Sequence, residues 1–139
     1  MKLITVVDER NGLTFGRRRL SRDRLLIERV MEKVGKSRLW MDGYTAEMFG
    51  NAVPVNVCIG TDWFSKATDL DYAFLERIPE GFNMKEITEI IKFCWNRHYP
   101  SDAQFPILLP SEGWHLIYRR DFQGYSHEKI TEEEWKREK

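Results

Sequence analysis

The sequence predicts an α/β fold, a three-layer sandwich around one central mixed, mostly parallel sheet. Three observations carry this. Short β-branched and aromatic runs recur at Leu3–Val7, Val55–Ile59, Tyr72–Leu75 and Ile90–Trp95. A stretch of helical spacing separates the first two. No repeat, low-complexity tract or linker interrupts the chain, so residues 1–139 read as a single domain.

The elements follow in order. Leu3–Val7 is a buried strand, and Asp8-Glu9-Arg10-Asn11-Gly12 is the turn after it. Leu26, Ile27, Val30, Met31 and Val34 line one face of a helix, with Glu28, Arg29, Glu32 and Lys33 on the other. Ser21 is its expected N-cap and Gly35 its stop. Arg38–Met41 is a second strand, Asp42-Gly43 a turn, and Thr45–Phe49 a short helix closed by Gly50. Val55, Val57 and Ile59 alternate as a third strand, with Pro54 at its first position. Thr61-Asp62 caps a helical stretch through Ala67. Tyr72–Leu75 is a fourth strand, Met84–Glu89 a short helical turn, and Ile90–Trp95 a fifth strand with helix as the rival. Residues 96–113 form a long loop carrying Pro100, Pro106 and Pro110. Trp114–Tyr118 is a further strand. Thr131-Glu132-Glu133-Glu134-Trp135 has the spacing of a capping box, so the tail reads as locally helical, with a final strand over 126–139 as the alternative.

Charge and cysteine usage narrow the function classes. Lysine plus arginine balance aspartate plus glutamate at 22 each, so no global field draws the chain to nucleic acid or an anionic membrane. Cys58 and Cys94 lie far apart in apolar runs and read as buried free thiols of a reducing, cytoplasmic compartment. No apolar run has the length of a membrane span, and the first residues lack the pattern of a signal peptide.

The order of several short motifs resembles a shortened dihydrofolate reductase. Val7-Asp8-Glu9-Arg10-Asn11-Gly12 is similar to that family's first strand and following loop. Leu20-Ser21-Arg22-Asp23 is similar to the Leu-Pro-x-Asp/Glu that opens its first long helix, and Leu39-Trp40-Met41-Asp42-Gly43-Tyr44-Thr45 to its Val-x-Met-Gly-Arg-x-Thr. Phe105-Pro106, Trp114 and Arg120-Asp121-Phe122 resemble its late signposts. The resemblance implies that Asp23 is the acid that meets a pterin ring in a dry cleft, and that Thr45 lies near the cofactor. It also implies a degraded NADPH site, with binding weak or absent. Leu75-Glu76-Arg77 replaces the glycine turn beneath the dinucleotide pyrophosphate, and Gly43 replaces an arginine. A glutamate at that turn is expected to repel phosphate.

A second, looser resemblance runs through Arg17-Arg18-x-x-Ser21-Arg22-Asp23, Trp95-Asn96-Arg97-x-Tyr99-Pro100 and Ser126-His127-Glu128-Lys129-Ile130-Thr131. It is to small gut-bacterial proteins labelled ribonuclease Z. A zinc nuclease needs clustered ligands, whereas His98, His115 and His127 are isolated, and no metal constellation is read.

The candidate site is therefore Asp23 as catalytic acid, with Thr45 and the basic run Arg17, Arg18, Arg19 and Arg22 as ligand contacts. The arginines, with Arg24, could clamp a phosphate or carboxylate, and the competing reading is a solvated helix start. Asn96–Asp102 is a polar loop after a buried strand, and Ser126–Lys129 a possible proton shuttle. Cys94 reads as core packing. The expected function is binding of a pterin- or nucleotide-like small molecule. The alternatives are a non-catalytic protein-interaction scaffold or, by label alone, a nuclease.

Overall fold

The computed structural model describes residues 1–15, 18–19, 23–96, 104–107, 109–125 and 129–138, with the backbone alone at 14–15 and 18–19. Its centre is β1 (Lys2–Val7), in which Leu3 to Val7 are all buried because both faces of the strand are covered. The chain then forms a short antiparallel pair, β2 (Thr14–Phe15) and β3 (Arg18–Arg19), helix α1 (Arg24–Val34) and β4 (Leu39–Met41). Next come α2 (Gly43–Ala46), a 3-10 turn over Glu47–Phe49, β5 (Val57–Ile59), α3 (Trp63–Lys66) and β6 (Tyr72–Leu75). A second 3-10 turn at Met84–Glu86 leads to β7 (Glu89–Cys94), β8 (Trp114–Phe122) and β9 (Ile130–Arg137).

Among the described residues the main sheet has seven strands in the order β5-β4-β6-β1-β7-β9-β8. The five strands from β5 to β7 are parallel, and β9 and β8 close one side as an antiparallel pair. The class is α/β with a mixed sheet, as the alternating pattern implies.

Period-two alternation sends side chains to two cores. Ile4 and Val6 join Leu26, Val30 and Val34 of α1, Met41, Phe74 and Ile91 on one face. Leu3 and Val7 join Trp63, Phe64, Ile90, Phe105, Ile107 and Trp135 on the other. That second face is covered by the single turn of α3 and by irregular segments rather than by long helices. Asn11, at φ 66°, donates from its amide to the carbonyls of Phe105 and Ile107, both at 3.2 Å, and ties one such segment to the end of β1.

Several expectations are corrected. The tail is strand β9, not helix. Ile130, Thr131, Glu132 and Trp135 are buried between β7 and β8, and two ladders outweigh a local capping-box pattern. The N-cap of α1 is Asp23, whose extended backbone and carboxylate satisfy the first turn, whereas Ser21 lies outside the described residues. Asp42 caps α2 directly through the Thr45 N–H, so Asp42-Gly43 is a helix start. β5 begins at Val57, because the Pro54 carbonyl accepts the Val57 N–H in a turn before it. Asp62 holds the cap position of α3 without a side-chain capping bond. The helical turn after Asn83 stops at Glu86, and β8 runs on to Phe122. Cys58 and Cys94 are free thiols but only half-buried. No helix among the described residues is long and apolar enough to cross a membrane.

Candidate functional site

In open parallel sheets the carboxyl ends of the strands present the loops that can hold a ligand. Here β4 ends at Met41, β5 at Ile59 and β6 at Leu75, and the residues after them line an open surface pocket of about 300 Å³. Its lining is Asp42, Thr61, Trp63, Arg77, Ile78 and Pro79. The polar side is preordered. Asp42 Oδ1 accepts the Thr45 N–H at 2.7 Å, and Oδ2 accepts from Arg77 Nη2 at 3.2 Å. The Arg77 guanidinium also lies 4.3 Å from the centre of the Tyr44 ring, in cation–π contact. The Arg77 side chain remains 56% exposed, which leaves donors for another oxyanion. Trp63 is buried beneath, in edge contact with Phe64 at 5.7 Å.

The neighbouring Glu76 does not face this pocket. Its side chain is buried, with 6% of the residue exposed. The charged residues of the pocket lining are Arg77 and Asp42.

Asp23 is wholly buried at the start of α1. Its Oδ1 accepts the N–H of Leu25 at 3.0 Å, of Leu26 at 3.2 Å and of Tyr125 at 2.9 Å. Gly124 covers the carboxylate from the connection between β8 and β9, and Arg24 stacks on Tyr125 at 4.5 Å. Thr45 is buried in α2, and its hydroxyl has no hydrogen-bond partner among the described residues. Asp23 packs at the β9 side of the sheet, and Thr45 follows β4, with β6, β1 and β7 between. Neither lines the Arg77 pocket, although Thr45 adjoins it through Asp42.

Arg17 and Arg22 lie outside the described residues, and Arg18 and Arg19 are placed only as the backbone of β3. The polar loop retains Asn96, at φ 58°, whose amide donates to the Lys129 carbonyl and the Thr131 hydroxyl. The rest of that loop through Asp102, with His98, and Ser126–Glu128 fall outside the described residues. His115 is exposed and lies 3.4 Å from Glu138. Among the described residues no three histidine, cysteine, aspartate or glutamate side chains gather as a metal set. Burial raises the Cys94 thiol pKa, and the thiol lies 3.6 Å from the Asp8 carbonyl oxygen.

Helix α1 is bound to the sheet by an ionic cluster. Glu132 of β9, wholly buried, accepts from Arg29 Nε at 2.7 Å and lies 3.3 Å from Lys33 Nζ. Lys33 also donates to Glu134 at 2.7 Å, and Arg29 to the Tyr118 hydroxyl at 3.2 Å. Burial alone would lower the Lys33 pKa, but bonds to Glu134 and Glu132 outweigh it and raise the value. Both Arg29 and Lys33 are thus paired with carboxylates of β9, which ties α1 to the sheet.

Sequence reasoning did not single out Arg77 as a candidate ligand contact. The available signal was a charged pair directly after a buried parallel strand, at Glu76-Arg77. Comparison with protein families and with curated proteins returns no match.

Proposed function

We propose that the chain is a small-molecule-binding domain of dihydrofolate reductase-like architecture, whose ligand site is the carboxyl-end pocket at Arg77. The observation that carries the reading is Arg77 itself, ordered by Tyr44 and Asp42 at the mouth of a pocket of about 300 Å³. Support for the architecture comes from where the quoted motifs fall. Their described residues coincide with β1 and its turn, Asp23 at the cap of α1, β4 with the start of α2, the Phe105 segment and both ends of β8.

Reductase chemistry on a pterin has less support. Asp23 is fully covered and accepts three backbone N–H groups, as a helix cap does. The same observation favours the second reading, a non-catalytic interaction scaffold that kept the sheet.

A thermal-shift screen with pterins, nucleotides, NADPH and small organic acids tests the proposal. A ligand of the folded state raises Tm by mass action. The expected result is a ligand whose shift disappears in Arg77→Met, with NADPH ineffective. A panel with no Arg77-dependent shift favours the scaffold. An NADPH shift restores the reductase.

A further inference from the structure

We propose that the Arg77 pocket takes a small monocarboxylate with an apolar body and selects it over phosphorylated ligands. This rests on the reading that the pocket is the ligand site, and it names the class of ligand.

The cation is held before any ligand arrives. Arg77 stacks on Tyr44 at 4.3 Å and donates one bond to Asp42 at 3.2 Å, and 56% of its side chain stays exposed. A guanidinium is a planar fork whose paired donors match the two oxygens of a carboxylate. Ordering the fork in advance reduces the entropy lost on binding.

Charge decides between oxyanions. The ionised groups of the lining are Arg77 and Asp42, which balance. Asp42 is not free to turn away, because its Oδ1 caps α2 through the Thr45 N–H at 2.7 Å. A monocarboxylate brings one negative charge to the guanidinium. A phosphate monoester brings about −1.5 to −2 at neutral pH, beside a fixed carboxylate.

Size and walls decide the body. Trp63, Ile78 and Pro79 are apolar, and Ile78 is half-exposed at the surface. A volume of about 300 Å³ lies at the small end of ligand pockets, which suits one ring or a short branched chain rather than a dinucleotide.

Calorimetric titration of the whole chain with benzoate, inorganic phosphate, adenosine monophosphate and NADPH tests this. Benzoate is expected to bind, and Arg77→Met to weaken it about tenfold or more, with Arg77→Lys recovering only part. Phosphate and the nucleotides are expected to bind about tenfold more weakly than benzoate. Asp42→Asn keeps an oxygen for the cap and removes the charge, so it should narrow the gap between phosphate and benzoate. If Arg77→Met fails to fold, Arg77→Lys and Asp42→Asn carry the same comparison. Arg77-dependent binding of a nucleotide without benzoate keeps the site and overturns the monocarboxylate. Benzoate binding indifferent to Arg77, or no binding by any probe, overturns the assignment to this pocket altogether.

Discussion

Gly124 lies so close to Asp23 that a Cβ on the glycine would stand 2.6 Å from the carboxylate Oδ2 and 2.7 Å from Ile130 Cδ1. Three N–H groups hold the same carboxylate, so it cannot swing aside cheaply. Gly124→Ala is expected to destabilise by about 1–3 kcal/mol through overpacking. Urea denaturation gives the value, and a neutral result would mean that the β8–β9 connection moves away without cost.

Asp23→Ala removes the acceptor of three N–H groups, from Leu25, Leu26 and Tyr125. Loss of a helix cap together with buried unmet donors is expected to cost about 2–4 kcal/mol. A variant as stable as the parent would instead indicate a carboxylate kept for a ligand at the expense of stability.

Arg29→Met should be more harmful than Lys33→Met. Arg29 makes the 2.7 Å bond to the buried Glu132, whereas Lys33 divides itself between Glu132 and Glu134. A charge-assisted bond to a buried carboxylate contributes about 1.5–3 kcal/mol, so a loss of that order is expected for Arg29→Met. Equal losses in the two variants would refute the ranking.

Asp71 gives stability a dependence on acid pH. Burial alone would raise its pKa. Bonds from the Thr68 N–H, the Trp40 indole and the Arg38 guanidinium outweigh burial and lower it. A folded value below the unfolded one, about 3.9, means that the contribution is present above that pH. It is lost as pH falls through the folded value. Asp71→Asn should therefore cost about 1–3 kcal/mol at neutral pH. The gap from the parent should close below about pH 4. A gap that is constant down to the acid transition would contradict this.

Cys94 is expected to resist alkylation in the folded chain at about pH 8, because burial raises its pKa and thiolate is the reacting form. Peptide mass spectrometry after iodoacetamide, with a urea-unfolded control, checks it. Rapid modification of the folded chain would count against the burial of that thiol.

Much of the fold is legible along the chain because burial imposes a period. Leu3–Val7 and Tyr72–Leu75 are apolar on both sides because both faces of the central strands are covered. The spacing Leu26, Val30, Val34 marks the face of α1 that packs on the sheet. The candidate site is less legible. Asp23 and Thr45 stand out in the sequence, yet the former is covered by Gly124 and the latter sits behind Asp42.

Local patterns of burial specify the α/β class, the central strands and helix α1. Tertiary structure decided the rest. Glu132 looks like a residue of a polar, helix-capping tail until Arg29 and Lys33, about a hundred residues earlier in the chain, neutralise it against the sheet. Arg77 looks like a substitution in a turn until Asp42 and Tyr44 hold it over a pocket. In both cases the charge has its meaning from a partner distant in sequence. Desolvation makes such a partner necessary, and no local periodicity encodes which one it is.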